Sequence, residues 1–475
     1  MILSLLFSIL IPIATGSCLV CVLWPGPRSL RPYFLFKISL AAGLGLGVTS
    51  CIFFIWLCVF GAVKGFIALE AVILICLAAV LICFPRQKGL TISSAPGLTA
   101  SSRSMMNAAI IAFFYIILGS ALVVFISSTL REPHGGWDAW GVWNNHARHI
   151  FRAGNQWKII FSNAGIGNPD YPLLIPATIA RIWKLIGSDT IIVPAFIGML
   201  FTFGTVAILC SSLIILRGKR EGFLAAIVLL GTSLFVIWGA RQYADIPLGF
   251  FILTTIALFS LRERMPEKND TLLVLAGLAA GCAAWTKNEG LLFAALIIPI
   301  HFAALFFARG WKMALRQLVF FGIGLAPILL IIAYFKAQLA PPNVYVSSIS
   351  DEVSKGVVAQ SLSGASKYAL ALKIFAKEIF NYGECVISPV PLLAVCLLFF
   401  GIRIDSRDRL NIITALITLC LMLGGYFFLY VRMPIQEILR VLSTTAMLDR
   451  LFLQLWPSFI FIYFMTARTD EEANR

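Results

Sequence analysis

The chain has 475 residues, of which 60% are hydrophobic and only 12% are charged. A soluble domain carries about 25% charged residues, so no soluble core could hide this much apolar surface, and the surrounding medium must be lipid. The formal net charge of +15 does not indicate a nucleic-acid partner, because there is no soluble basic domain to carry it; basic residues instead fit loops on the cytoplasmic side of a membrane.

Apolar runs near 20 residues mark the predicted membrane spans, and we expect about thirteen of them. They lie at 2–23, 38–61, 66–84, 107–128, 190–216, 223–240, 246–261, 271–286, 290–308, 317–338, 385–402, 410–430 and 450–466. The sequence therefore predicts an all-α polytopic membrane protein.

The predicted spans divide the chain into three parts. Residues 1–106 hold three leading spans and a connector rich in serine and glycine. Residues 107–338 form the main membrane module, which includes a long first outer loop at 129–189. Residues 339–475 hold a second outer loop, an amphipathic helix at 366–384 and the C-terminal spans.

One apolar segment, YPLLIPATIARIWKLI at 171–186, is only 16 residues long. If it crossed the membrane, the basic loops that follow it would all face outward. Those loops are RGKR, RERMPEK, RGWKMALR and RIDSRDR. If it stays at the outer interface, all of them are cytoplasmic, as the positive-inside rule requires. We therefore expect 171–186 to remain outside, and the turns at 241–245 and 286–290 to face the same outer side.

The first outer loop contains a stretch unlike the rest of the chain, GGWDAWGVWNNHARHIFRAG. Its tryptophans fit an interfacial helix whose rings anchor at headgroup depth. That interpretation does not explain Asp138, because a carboxylate at the end of a span is costly to desolvate unless it is partnered. We therefore expect a functional role for Asp138. His146 and His149 are explained as well by a polar helix face as by a substrate.

A second outer turn, in GARQYADIPLGF, carries Arg241, Tyr243 and Asp245 between two spans. Asp245 could simply cap the helix that follows, by accepting hydrogen bonds from its exposed N–H groups. It could equally belong to a site, because it stands at the same membrane boundary as Asp138. Both interpretations stay open.

A third outer turn, in AAWTKNEGLLF, carries Lys287, Asn288 and Glu289, and Gly290 lets the chain reverse. An ion pair between Lys287 and Glu289 that only ties the turn is the simpler interpretation. A role in a site is the alternative, because these side chains lie at the outer end of two spans.

Carboxylates from three different turns thus come to one membrane face: Asp138, Asp245 and Glu289. Such a set suits a reaction between a lipid-borne donor and a water-borne acceptor. A carboxylate can remove the proton from an acceptor hydroxyl, and a cation or a carboxylate-bound metal can neutralise a departing phosphate. The cations available are Lys287, Arg241 and Arg450.

The order of these motifs between 107 and 466 resembles that of the bacterial GT-C membrane glycosyltransferases, which include protein mannosyltransferase-like and aminoarabinose transferase-like enzymes. The resemblance is carried by WDAWGVWNNHARHIFRAG, NPDYPLLIP, RQYADIPLGFF, AAWTKNEGLLF and MLDRLFLQLWP. It implies a GT-C fold with juxtamembrane helices in the first outer loop. It also implies an enzyme that takes its sugar from a polyprenyl-phosphate donor and inverts the anomeric centre.

The resemblance implies roles for particular residues as well. Asp138 matches the acid of the first outer loop and is the expected general base, and Asp245 matches the second acid. We predict that polar residues of the motifs bind the substrates: Tyr171, Arg241, Tyr243, Asp245, Lys287, Asn288, Glu289 and Arg450. Each acid is single where many relatives have pairs, so no cofactor is certain, and a divalent metal held by Asp138 and Asp245 stays open.

The expected function is transfer of a single sugar from polyprenyl phosphate to a lipid, glycan or protein acceptor, on the periplasmic side of the bacterial inner membrane. The alternatives are a transporter or flippase of lipid-linked sugars, and a polymerase or ligase of surface polysaccharide. A transporter should carry ionisable residues near the bilayer midplane, on broken helices in repeated halves. Glu70 is the only clear acid within a span, and no repeated halves are visible.

Overall fold

The computed structural model describes residues 2–24, 31–61, 65–83, 102–162, 167–264, 270–342, 365–383, 388–432 and 446–468. Regular structure in these ranges is helical, apart from one isolated bridge between Ile402 and Ala467. The helices of the first half are α1 (Ile2–Leu23), α2 (Arg31–Phe60), α3 (Phe66–Cys83), α4 (Ser102–Arg131), α5 (Asn144–Arg152), α6 (Leu174–Ile186), α7 (Ile192–Leu216), α8 (Lys219–Gly231) and α9 (Ser233–Ala240). Those of the second half are α10 (Asp245–Arg264), α11 (Thr271–Thr286), α12 (Asn288–Arg309), α13 (Trp311–Gln338), α14 (Ala365–Asn381), α15 (Pro389–Phe400), α16 (Arg409–Arg432) and α17 (Ala446–Thr466).

Many of these helices match the length of a lipid bilayer. Nine of those described are long and apolar enough to cross it, namely α1, α2, α3, α4, α7, α10, α12, α13 and α16. The pair α8 and α9 counts as a tenth if it is one span, although it bends by 65°. Helices α11 and α15 are apolar but shorter, at 16 and 12 residues. The chain is an all-α polytopic membrane protein, and the expected count of about thirteen spans stays a prediction.

Helices α10 and α11 form the centre of the bundle. In α10, 94% of the most apolar stretch is buried inside the protein, against 17% in α4 and 11% in α3. Glycine permits the close packing here, because a Cβ at Gly277 of α11 would lie 2.0 Å from the carbonyl oxygen of Phe321 in α13. The start of α10 and the end of α11 are therefore held on a rigid support.

The helix ends sort into two groups. One end of the bundle, here termed the site end, collects the end of α4, the start of α10, the end of α11 and the starts of α12 and α17. The opposite end carries the basic loops, which ion pairs join: Arg264–Asp408 at 2.5 Å, Arg309–Glu263 at 2.8 Å and Arg316–Asp270 at 2.6 Å. The basic loops after α10 and α12 and before α16 therefore share one end, as the topology argument expects.

The segment expected at the outer interface forms α6, which has 13 residues and is too short to cross a membrane. It does not lie on the lipid surface, however, because every residue from Leu174 to Trp183 is buried. Helices α1, α2 and α5 pack against it, and Arg181 donates two hydrogen bonds of 2.7 Å to the carboxylate of Glu70 in α3 and one of 2.7 Å to the carbonyl of Ser8 in α1. The segment is therefore a short helix covered by the protein, and its position at the outer interface stays a prediction.

The amphipathic helix expected at 366–384 is present as α14, whose buried residues pack against α15, α16 and α17. Other expectations fall outside the described residues. These are the connector at 84–101, most of the second outer loop at 343–364, and the segment 433–445 before α17.

Candidate active site

Two glycines bring the first outer loop against the turn that precedes α10. The chain reverses after α4 through Gly135, whose φ of +79° favours glycine. A Cβ at Gly135 would lie 2.7 Å from the carbonyl oxygen of Arg241, and the N–H of Gly136 donates to that same oxygen at 3.1 Å. The two outer turns are therefore in direct backbone contact.

A π-helical turn at Ala139–Trp143 follows Asp138 immediately. Such turns are rare and are frequent at functional sites. The backbone N–H of Asp138 donates to the hydroxyl of Tyr243 at 3.3 Å. The backbone of Asp138 is therefore held against the second outer turn, independently of any contact made by its carboxylate.

Gln242 fastens the same two turns together. It adopts a φ of +61°, which is uncommon for a residue other than glycine. Its side-chain oxygen accepts from Asn144 Nδ2 at 2.8 Å, and its side-chain nitrogen donates to the carbonyl of Pro133 at 3.3 Å. No local sequence pattern indicates this role, because it depends on the conformation of the turn.

Arg450 joins the first two carboxylates. Its Nη2 lies 2.5 Å from Asp138 Oδ2 and 3.1 Å from Asp245 Oδ2, and its Nε donates to Asp245 Oδ2 at 3.1 Å. The guanidinium also lies over the ring of Tyr243, at 4.6 Å from the ring centroid, where a cation is attracted to the aromatic face. Three segments that are far apart in the sequence thus meet at one cation.

Lys287 joins the second and third carboxylates. Its Nζ lies 2.9 Å from Asp245 Oδ1 and 3.1 Å from Glu289 Oε1. The result is an alternating row of charges, Asp138, Arg450, Asp245, Lys287 and Glu289, here termed the charge ladder. Three carboxylates face two cations, so the ladder carries one excess negative charge.

Asp245 is completely buried at the centre of the charge ladder. Besides the two cations, it accepts a hydrogen bond of 2.5 Å from Gln454 Nε2, and Gln454 in turn accepts one of 3.0 Å from the hydroxyl of Tyr426. Side chains of α17 and of the turn before α12 therefore converge on this carboxylate, and Tyr426 of α16 holds one of them. Asp245 does more than cap its own helix.

Two groups in the site keep their protons at neutral pH. Burial alone would lower the pKa of Lys287, because the ammonium loses hydration. The carboxylates of Asp245 and Glu289 outweigh this effect and raise the pKa of Lys287 above its ordinary value. Burial raises the pKa of Tyr171 well above its ordinary value, and the charge of Glu289 acts in the same direction. The site thus holds a charged amine and a neutral phenol.

A smaller polar cluster borders the charge ladder. Asn288 Nδ2 donates to Asp170 Oδ2 at 2.9 Å, and Lys336 Nζ donates to Asn288 Oδ1 at 2.9 Å and to the backbone carbonyl of Asp170. These bonds fix the turn that carries Tyr171, whose ring stacks on Trp143 with centroids 5.4 Å apart. Neither Asp170 nor Lys336 stands out in the sequence; a lysine at the end of a span usually extends to the lipid headgroups.

Arg241 and His146 lie apart from the charge ladder. Arg241 pairs with Glu132 at 3.3 Å, and its guanidinium is 5.1 Å from the ring centroid of Trp238. His146 is buried, and its Nε2 lies 2.9 Å from the carbonyl oxygen of Gly167. Burial lowers the pKa of His146 to about 4, so the ring is neutral at pH 7. Both residues hold the outer loops in place.

The tryptophans of the first outer loop divide into two kinds. Trp137 and Trp140 are exposed and meet edge to face, with centroids 4.3 Å apart, which fits the expected interfacial anchors. Trp143 is buried against Tyr171, so the anchor interpretation is wrong for that residue.

The residues around the two acids do not fit a metal ion. Among the described residues, no group of three or more His, Cys, Asp or Glu side chains is arranged to hold one. Arg450 occupies the space between Asp138 and Asp245 and contacts both. The charge ladder is therefore an ionic network of protein groups.

Two cavities lie near the site end, and no residue of the charge ladder lines either of them. An open depression of about 460 Å³ adjoins the loop of Asp138, lined by Glu132, Pro133, His134, Gly135 and Trp140. A second cavity of about 510 Å³ lies between α14, α15, α16 and α17, and almost all of its lining is apolar. It extends from Tyr382 near the site end to Thr466 at the opposite end, and includes Phe452 and Trp456 of the helix that carries Arg450.

Comparison with protein-family models, with curated proteins and with solved structures finds no match to this chain. Its class therefore follows from its own fold and site: an all-α integral membrane protein with a largely buried charge ladder at one end of the helical bundle. The GT-C resemblance of its motifs stays a prediction.

Proposed function

We propose that this protein is an integral membrane glycosyltransferase of the GT-C type. It transfers one sugar from a polyprenyl-phosphate donor to an acceptor hydroxyl and inverts the anomeric centre. The observation that carries the proposal is the contact between a partly exposed carboxylate, Asp138, and the guanidinium of Arg450 at one end of the bundle. A base for the acceptor and cations for the departing phosphate are the groups that this reaction needs side by side.

Asp138 is the proposed general base. Its Oδ2 is held by Arg450, its Oδ1 accepts no hydrogen bond from the part of the chain that the structure describes, and 21% of its side chain is exposed. The acceptor hydroxyl gives its proton to Oδ1 while its oxygen forms the new bond to the anomeric carbon. The contact with Arg450 fixes the direction of the carboxylate for this step.

The bond between the anomeric carbon and the phosphate oxygen breaks in the same step, and its electron pair leaves with the polyprenyl phosphate. Arg450 and Lys287 supply positive charge for this anion. Lys287 keeps its proton because the neighbouring carboxylates raise its pKa. Asp245 keeps its hydrogen bond from Gln454 when the phosphate shares these cations.

The apolar cavity beside α17 supports a donor that arrives from the lipid. Its volume is about 510 Å³, and it lies along the face of α17 that carries Phe452 and Trp456. Arg450 projects from a different face of that helix, because side chains two positions apart do not face each other. The cavity would therefore take the isoprenoid chain and not the phosphate. The open depression near Asp138 would take the acceptor.

The distribution of basic loops supports a site on the outer face of the bacterial inner membrane. Arginines of the loops after α10 and α12 gather at the opposite end of the bundle. Loops of this kind stay in the cytoplasm. The site end then faces the periplasm, where the lipid, glycan or protein acceptor would be met.

One feature favours the alternative of a transporter or flippase for the same lipid-linked sugar. Helices α8 and α9 form a broken apolar pair with a bend of 65°, and broken helices are frequent in transporters. The charged residues of the ladder, however, start or precede helices at the site end and do not flank this break. Transfer is therefore the first candidate function, and movement of the donor is the second.

Proteoliposomes distinguish these two functions. The purified protein is reconstituted with polyprenyl-phosphate sugars that are labelled in the sugar, and a membrane extract supplies the acceptor. Labelled product that depends on the protein supports transfer. Movement of the labelled donor across the bilayer without any product would overturn the transferase in favour of the flippase.

Asp138→Asn tests the assignment of the base, because it removes the charge and hardly changes the volume. We expect transfer to fall by about 10²–10⁴-fold. Glu221→Gln, in the first turn of α8 at the opposite end, is the matched control and should transfer like the wild type. Near wild-type transfer by the Asp138→Asn protein would mean that another group removes the proton.

A further inference from the structure

Glu289 ends the charge ladder with an oxygen that has no partner in the described part of the chain. Its Oε1 lies 3.1 Å from Lys287 Nζ, whereas its Oε2 is buried and accepts no hydrogen bond there. Glu289 is the second residue of α12. Its side chain therefore starts from a rigid element at the site end.

A buried carboxylate oxygen without a donor is unfavourable, because it has lost its water without gaining a replacement. Folded proteins retain few such atoms, and each needs a reason. The cations of the ladder are already shared: Lys287 with Asp245, and Arg450 with Asp138 and Asp245. A bound molecule can supply the missing donor.

The charges around Glu289 select the kind of donor. A phosphate would be repelled by the carboxylate, and an ammonium group would lie beside Lys287 and be repelled in turn. An uncharged hydroxyl is repelled by neither group, and it can donate a charge-assisted hydrogen bond to the carboxylate. A sugar ring offers several hydroxyls close to its anomeric carbon.

We propose that Glu289 Oε2 binds a ring hydroxyl of the transferred sugar and so helps to select the donor. This inference rests on the proposed function. Lys287 contacts Glu289 and is one of the two cations proposed for the donor phosphate. The sugar and its phosphate would thus be recognised by adjacent groups of one ladder.

Donor binding tests this assignment without relying on turnover. The probes are bare polyprenyl phosphate and polyprenyl phosphate that carries glucose, mannose or galactose, titrated into protein in nanodiscs and followed by tryptophan fluorescence. We expect at least one sugar-bearing lipid to bind the wild type roughly tenfold to hundredfold more tightly than the bare lipid. Glu289→Leu should abolish this preference, and Glu221→Leu should keep it.

Each result has a consequence. The same sugar preference in the wild type and in Glu289→Leu, or no preference in the wild type, would overturn the assignment and leave the transferase proposal standing. Failure of every lipid to bind would overturn the donor class and the assignment together. If Glu289→Leu does not fold, Glu289→Gln decides: a reduced preference supports the assignment, and a full preference refutes it.

Discussion

A single nitrogen of Arg450 bridges two carboxylates from different helical segments: Nη2 lies 2.5 Å from Asp138 Oδ2 and 3.1 Å from Asp245 Oδ2. The guanidinium therefore sets the distance between the proposed base and the buried centre of the charge ladder. A planar group with several donors can do this, whereas a single ammonium cannot hold both carboxylates in the same geometry.

Arg450→Lys tests that bridge. The charge remains, but the fork of donors is lost, so we expect sugar transfer to fall by about 100-fold or more. Arg450→Met removes the charge as well and should also reduce stability, by about 3–5 kcal/mol for an uncompensated buried pair. Transfer in proteoliposomes and thermal unfolding in detergent measure the two effects. Wild-type transfer by Arg450→Lys would contradict the role of the bridge.

The pair between Glu70 and Arg181 predicts a strong effect on folding. Both side chains are buried and share two hydrogen bonds of 2.7 Å, so Glu70→Gln should lower the free energy of unfolding by about 3–5 kcal/mol. The double variant Glu70→Leu with Arg181→Leu should recover much of that loss, because no charge is left unpaired. Thermal unfolding in detergent is the measurement.

A matched control for the buried pair is Glu132→Gln, which breaks the half-exposed pair between Glu132 and Arg241. Its effect on unfolding should stay below about 1 kcal/mol. If Glu70→Gln unfolds like this control, the buried pair does not stabilise the protein.

His146 predicts a loss of stability in mild acid. Burial lowers its pKa to about 4 in the folded protein, from the ordinary 6.5. Between these values the unfolded chain binds a proton that the folded protein excludes, so the free energy of unfolding falls as the pH drops from about 6.5 to about 4, by up to about 3 kcal/mol. The unfolding temperature should fall over this range, and fall less in His146→Gln. Identical pH profiles for the two proteins would rule this cause out.

Removal of metal ions should leave transfer unchanged. Arg450 lies between Asp138 and Asp245, and the described residues bring no third ligand to them. Divalent cations that bind oxygen need about six ligands. Transfer is measured after treatment with EDTA and again after addition of Mg²⁺ or Mn²⁺. Activity that is lost with EDTA and restored by either ion would contradict this expectation.

The sequence alone could predict most of the long helices, because lipid demands an unbroken apolar run for each span. The third expected span, 66–84, corresponds to Phe66–Cys83, and the span at 190–216 corresponds to Ile192–Leu216. The burial of α6 could not be predicted, since it depends on Glu70, which lies 111 positions from Arg181 in the chain. Charge counting shows only that α6 should not cross.

The acidic residues of the candidate site could be predicted from the sequence, whereas most of the residues that contact them could not. A carboxylate at a membrane boundary is conspicuous, so Asp138, Asp245 and Glu289 stand out in the sequence. The neutral and basic residues around them do not. Gln454 is an isolated polar residue in an apolar helix, and Lys336 resembles a lipid anchor. The packing of the helices brings Gln454 to Asp245 and Lys336 to Asn288.

The dependence of Asp138 on Arg450 has a consequence for biosynthesis. Asp138 is synthesised 312 residues before its partner Arg450. At a synthesis rate of roughly 5–20 residues per second, about 15–60 s pass between the two residues. Lys287 is the only cation of the ladder that is made before Arg450. The nascent protein therefore carries unmatched acids until α17 has been made. Chains that stop before α17 should be recognised as unfinished by membrane quality control and degraded.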